Sequence, residues 1–133
     1  MEVVTSHTVV IDLLVSDKGA LVAACAVLGV QFREEQKTFR RYHGTERCDA
    51  AICVPDNAKA YEIGVRDNHN GSFDLCADFF MGGYGLTDYV GDEAYKLKQE
   101  YAAQVATQQY EMDGYSISRT VTEDGRIVLE ACR

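Results

Sequence analysis

Between Tyr61 and Phe80 the chain alternates apolar and polar positions on either side of a polar link, YEIGVRDNHNGSFDLCADFF. Period-two alternation around such a link predicts a β-hairpin. One face would carry Tyr61, Ile63, Val65, Phe73, Leu75, Ala77 and Phe79, and the other Glu62, Arg66, Asp74, Cys76 and Asp78. The link Asp67-Asn68-His69-Asn70-Gly71 holds residues that tolerate positive φ or hydrogen-bond their own backbone, which suits a longer hairpin loop. The hairpin is expected at the middle of a sheet with its apolar face on the core.

The remaining pattern arranges itself around this hairpin. Val3 to Val15 alternates as a strand, and Ser16 or Asp17 can cap the helix that follows. Leu21, Val22, Ala24, Cys25 and Leu28 share one face of that helix, and Gly29 ends it. From Val30 to Arg47 the periodicity weakens to that of a solvated edge strand or loop, whereas Cys48 to Val54 reads as a short buried strand closed by Pro55-Asp56-Asn57. Met81-Gly82-Gly83-Tyr84-Gly85 predicts a sharp loop. A second helix is expected over Asp92 to Asp113, with Asp92 and Glu93 in its first turn and Ala94, Leu97, Tyr101, Val105 and Ala106 as its buried stripe. Tyr115 to Glu123 and Arg126 to Arg133 flank Asp124-Gly125, a pair suited to a type I′ turn. That turn sets Arg119 opposite Glu130 and Val121 opposite Val128. The order of elements predicts one α+β domain over residues 1–133, a two-layer sandwich of mainly antiparallel sheet with two helices packed on one face.

Composition narrows the function classes. A chain of 133 residues is long enough for one real core. Its net charge of -8 argues against general nucleic-acid binding, which depends on neutralising phosphates. No apolar run approaches the roughly 18 residues of a spanning helix, and the opening MEVVTSHTVV does not read as a signal peptide. The five cysteines, Cys25, Cys48, Cys53, Cys76 and Cys132, are odd in number and irregularly spaced, which with no secretory signal fits reduced thiols in a cytoplasmic setting.

Four constellations could carry chemistry. Glu62, Asp74 and Asp78 share a hairpin face with Arg66 and could form a metal or acid/base cluster, although a solvated sheet face with cross-strand pairs explains them more simply. His43, Cys48, Cys53 and His69 could ligate zinc, but the His-x4-Cys-x4-Cys spacing lacks the tight knuckle of structural sites. Ser6-His7 is a bare dipeptide without the partners that nucleophilic catalysis needs, and no phosphate-binding loop or dinucleotide fingerprint is present. The strongest local anomaly is basic and aromatic: Arg33, Lys37, Arg40, Arg41 and Arg47 lie among Phe39, Tyr42 and His43 in an otherwise acidic chain. Arginine forks suit phosphates or carboxylates, and the aromatics can stack on a planar ring. The structural alternative is an edge strand whose positive charges deter pairing with another chain.

Across nearly its whole length, and in matching order, the chain resembles a known family. The motifs are Ser6-His7-Thr8, Tyr42-His43-Gly44, Tyr61-Glu62-Ile63-Gly64, Gly71-Ser72-Phe73-Asp74-Leu75, Ala77-Asp78-Phe79-Phe80, Tyr101, Gly114-Tyr115 and Glu123-Asp124-Gly125-Arg126-Ile127. They are similar to those of the hypothetical chloroplast reading frame thirty-five family, a domain of unknown function in plastids, cyanobacteria, other bacteria and phages. In that family the hairpin reads Tyr-Asp-Ile-Gly, Gly-Ser-Tyr and Ala-Asp-Trp-Trp, so Glu62, Phe73 and Phe79-Phe80 are departures. The resemblance implies a cytoplasmic or stromal α+β protein, supplies no catalytic residues, and hints at an accessory role beside an AAA-class ATPase.

Together these features point to a non-enzymatic binding or adaptor protein without a cofactor. Arg40, Arg41, Tyr42 and His43 would meet an anionic small molecule or an acidic protein partner, and Asp78, Phe80 and Tyr84 would complete the site at the hairpin exit. A homodimer is among the expected assemblies. The rival is a small metal-dependent or acid/base hydrolase using Asp74, Asp78 and His69, and a third reading is a viral structural or decoration protein.

Overall fold

The computed structural model describes residues 8–133. Its central hairpin is formed by β6 (Ile63–Asp67) and β7 (Phe73–Asp78), with Arg66 opposite Asp74 and Gly64 opposite Cys76. The alternation works as the pattern requires. Tyr61, Ile63, Val65, Leu75 and Ala77 enter the main core, with Phe73 and Phe79 packed at its margin. Side-chain acceptors shape the link, as Asp67 accepts from the His69 N–H and Asn70 from the Ser72 N–H.

Around this hairpin stand β1 (Thr8–Val10), β2 (Gln31–Arg33) and β5 (Ala50–Cys53), giving an antiparallel sheet in the order β1-β7-β6-β5-β2. The first strand ends earlier than expected. It breaks after Val10, where the Leu13 N–H turns back onto the Ile11 carbonyl, and only Val15 rejoins the sheet through a bridge to Phe73. Val3 to His7, including Ser6-His7, lie outside the described residues.

One face of the sheet is covered by helices. α1 (Lys18–Leu28) begins at Asp17, whose carboxylate accepts from the Ala20 N–H, and ends at Gly29, left-handed at φ 80°. α2 (Leu86–Val90) is a short helix the pattern did not announce. α3 (Tyr95–Met112) starts later than expected: Glu93 and Ala94 are left-handed, so Asp92 and Glu93 form a separate turn before the helix and do not sit in its first turn. Leu97 and Tyr101 are buried, whereas Val105 is exposed, because the second half of α3 runs beyond the layer it packs on. The Tyr101 hydroxyl accepts from the backbone N–H groups of Ser16 and Asp17, which ties α3 to the start of α1.

The other face is not solvated, contrary to the simplest reading of its acids. A second hairpin, β3 (Thr38–Arg41) and β4 (Gly44–Arg47), lies across it. Phe39 is completely buried on Gly64 among Ala51, Cys53 and Cys76, which form a small second core. The α+β sandwich with helices on one face therefore carries a partial third layer, built from the stretch that looked like a loop or edge.

The chain ends in β8 (Ser116–Val121) and β9 (Ile127–Cys132), with Arg119 opposite Leu129 and Val121 opposite Ile127, one residue away from the expected register. Thr122 pairs with Arg126, so the link holds three residues, with Gly125 left-handed at φ 83°, and is not a two-residue Asp-Gly turn. The slip frees Arg119 from Glu130. Its guanidinium instead makes a two-pronged contact with buried Glu100 of α3 at 2.5 and 2.6 Å. Gln99 adds two bonds, accepting from the Ile127 N–H and donating to the Gly125 carbonyl. Arg119 holds Glu100 below its ordinary carboxylate value of 4.5, outweighing the burial that opposes it. The folded chain therefore takes up this proton less readily than the unfolded one. The pair's contribution is complete above pH 4.5 and disappears as pH falls below that value. Glu100→Gln is expected to cost about 1.5–3 kcal/mol at pH 7, because the amide loses the charge and offers the Arg119 fork only one acceptor. The difference should shrink in urea titrations run below pH 4, and a constant difference would contradict the assignment.

Candidate functional site

Two buried carboxylates hold the third layer in place. Asp78, 0% exposed, accepts from the backbone N–H of Tyr42 at 2.8 Å through Oδ2 and from that of Phe80 at 2.9 Å through Oδ1. Glu62 accepts from the Arg40 N–H at 2.8 Å and from Gln36 Nε2 at 3.1 Å, while its own N–H donates to the Arg40 carbonyl at 3.0 Å. The acids on this face thus satisfy the backbone of a strand that has no continuous ladder to the sheet.

Asp78 thereby joins the tip of β3–β4 to the exit of the central hairpin. At the tip, the Tyr42 ring lies 3.8 Å from that of His43 and 4.9 Å from that of Phe80. Beyond Phe80 the chain makes an unusual turn. Met81, Gly82, Gly83 and Tyr84 are all left-handed, with φ of 53°, 66°, 63° and 50°. A non-glycine residue pays about 1–2 kcal/mol for that conformation, because its Cβ crowds the following carbonyl. The turn is held by Tyr61 N–H donating to the Gly83 carbonyl and by the Tyr84 ring set edge-on to Tyr61. It presents Met81 at 69% and Tyr84 at 47% exposure, with Phe80 at 37%. Burial first, then the neighbouring Tyr84, Asp78 and Tyr42, push the Tyr61 hydroxyl above its ordinary value.

Since Met81 is so exposed, Met81→Gly should relieve the left-handed strain and lose little packing. The relief of about 1–2 kcal/mol offsets the glycine entropy cost of about 0.5–1 kcal/mol, so a net gain of up to about 1.5 kcal/mol is expected in urea denaturation. A destabilised variant would show that the side chain is held by something.

The expected cations are placed differently from one another. Arg41 is turned inward, with Nη1 donating to the Tyr42 carbonyl and Nε 2.8 Å from Glu46, which also receives Arg66. Arg40 donates to the Ala60 carbonyl at 2.7 Å, and its guanidinium stands 3.8 Å from Glu62. It remains partly exposed beside Arg33 in a cleft of about 340 Å³ that also includes Asp56, Asn57 and Glu62. Asn57 reaches the Tyr84 carbonyl, so this cleft adjoins the aromatic rim. The structure thus brings Tyr42, His43, Asp78 and Phe80 together, sets Tyr84 and Arg40 beside them, and directs Arg41 inward. Gln36 and Met81 also shape the site without standing out in the sequence, and Glu62, expected in an acid cluster with Asp74 and Asp78, instead accepts from Gln36 and the Arg40 N–H. Glu62 had the correct face yet no visible partner.

The catalytic alternatives do not assemble. Asp74 and Asp78 are four residues apart on one strand, roughly 13 Å at the rise of a β-strand. The His69 side chain is 84% exposed in the link at the Asp74 end. Cys48 and Cys53 direct their thiols at Gln36, and burial pushes Cys53, like Cys25, up to about 12. Such thiols stay protonated at neutral pH. Among the described residues no three side chains come together as metal ligands do.

A small α+β protein with an antiparallel sheet covered on both faces, and an aromatic rim at one hairpin exit, is the class that fold and site define. A family model described as "Protein of unknown function (DUF1257)" matches residues 24–129. That match takes in most of the chain, from within α1 to β9, and the chain belongs to this family. Neither the curated proteins nor the solved structures yield a match. Among the described residues no helix is long and apolar enough to cross a membrane.

Proposed function

We propose that this chain is a non-enzymatic binding or adaptor protein that engages its ligand at the exit of the central hairpin. The observation carrying this reading is the left-handed turn Met81–Tyr84, which holds two large side chains in a costly conformation while leaving Met81 largely and Tyr84 about half exposed. Strain at a side chain as exposed as Met81 has little packing to offset it, and such strain clusters at sites that contact something else. Phe80, Tyr84, Tyr42 and His43 offer rings for stacking, and Arg40, with Arg33 beside it, offers a fork for an anionic group. The ligand is therefore an anion with a planar or apolar body, either a small molecule or an acidic segment of a protein. On this reading Arg41 and Asp78 position the site and do not touch the ligand.

The finer kinship with the chloroplast reading frame thirty-five family, its cytoplasmic or stromal setting and an AAA-class ATPase as the protein that carries the acidic segment belong to the same proposal. ATP is a suitable first probe, since it joins phosphates to a planar ring. A concentration-dependent rise in melting temperature is expected with ATP, to be lost in the Arg40→Ala, Phe80→Ser double variant. No rise with ATP, or an equal rise in the double variant, would overturn the assignment of a small anionic ligand to this surface.

A further inference from the structure

α1 has no polar face. Its inward side, Ala20, Leu21, Ala24 and Cys25, is buried in the main core. Its outward side consists of Gly19, Val22, Ala23, Ala26 and Val27, with Val22 at 41% and Val27 at 53% exposure. A helix apolar all round normally lies between two partners, and here one side is covered by none of the described residues. The surface continues without a break from Val27 into a groove of about 220 Å³ between α1 and the C-terminal hairpin, where Tyr95, Val121 and Ile127 add further apolar surface.

We infer that this face is where two copies of the chain meet, α1 packing against α1 of the second copy. Charge selects the occupant. Each copy carries a net charge of -8, so copies repel one another except where the contact itself is uncharged. The α1 face has no charge beyond Lys18 at its start, which Glu34 takes up, and in the groove Arg119 and Glu100 neutralise each other and leave Lys96 as the one charge without a counter-charge in its lining. A partner recognised by opposite charge would find little beyond Lys96 to pair with here, whereas an identical apolar face is complementary to itself. Gly19, Ala23 and Ala26 are small enough for two helix axes to approach to about 8 Å, the close end of helix packing.

Area sets the strength. Eleven residues make a helix roughly 16 Å long and about 10 Å across, a footprint far below the ~800 Å² per partner of a stable interface. The groove and Tyr95 must therefore contribute, and the dimer is weak and reversible, with Kd in the micromolar range or above.

Sedimentation of the full chain from about 1 μM to about 1 mM tests this. A monomer–dimer equilibrium is expected, strengthened by added salt because screening relieves the repulsion between copies. Ala26→Glu, at a position exposed in the monomer, should weaken it at least tenfold without lowering the melting temperature. A monomer throughout, or a dimer indifferent to Ala26→Glu, would overturn the inference. Should that variant fold poorly, Ala26→Cys in a Cys132→Ser background provides an independent reading. A thiol crosslinker of about 15 Å span should join two copies through position 26, and failure to do so would equally overturn it. Neither result bears on ATP binding at the hairpin exit, so the two proposals stand or fall separately.

Discussion

Gly64→Ala is expected to destabilise the protein by about 3 kcal/mol, at the upper end for an overpacked core. A Cβ at this position would sit deep inside the Phe39 ring, and the ring, 0% exposed, has nowhere to go. It is enclosed by Ala51, Cys53 and Cys76, and its strand is fastened at Arg40 by Glu62. Phe39→Ala should cost about 3–5 kcal/mol through the cavity it leaves. The combination is the more telling experiment. A methyl group on residue 64 fits part of the space the ring vacates, so the double variant should be more stable than the sum of the single changes predicts. Urea denaturation of the four proteins gives the coupling directly, and simple additivity would show that the ring and the glycine do not meet as described.

Asp78→Ala is the second change with a large expected effect. It removes the acceptor of two backbone N–H groups in a buried setting, each worth about 1–3 kcal/mol, so a total loss of about 2–6 kcal/mol is expected. Asp78→Asn keeps one acceptor but turns a donor toward the second N–H, and should recover at most half of that loss. The consequence for the surface is more specific than a fall in stability. Asp78 joins the Tyr42 end of one hairpin to the Phe80 end of another, so its loss should separate the two sides of the aromatic rim. Binding of ATP should then fail even at temperatures where the variant is fully folded. A variant that unfolds earlier yet binds as well when folded would remove Asp78 from any positioning role.

The parts of this fold that were legible in the sequence are those where burial imposes a period. The hairpin faces from Tyr61 to Phe79 follow from alternation, and α1 follows from its cap, its inward stripe and Gly29. The third layer was not legible, because a strand fixed by one ring and two carboxylates needs only one apolar residue. Thr38-Phe39-Arg40-Arg41 therefore looks solvated. The C-terminal register turned on whether Asp124-Gly125 was the whole link, and Thr122–Arg126 pairing lengthened it by one. The left-handed conformations of Met81, Tyr84, Glu93 and Ala94 leave no trace in residue type. For the site, Tyr42 and His43 stand out by composition and Asp78 and Phe80 by their place at the hairpin exit, and the fold sets the four side by side. Arg40 and Arg41 were named for their charge alone. That Glu46 and Glu62 take up part of that charge could be known only once the hairpin lay across the sheet.

The way β3–β4 is attached also sets an order of opening. It shares no continuous backbone ladder with the five-stranded sheet, so it can lift away while the helices and the sheet stay together. Lifting it would uncover Asp78, Glu62 and two cysteines at once. Such a unit opens at a lower free energy than the whole domain. The amides of β3 and β4 should therefore exchange with deuterated solvent well before those of β6 and β7, and the thiols of Cys53 and Cys76 should become reactive on the schedule of the hairpin and not on that of global unfolding.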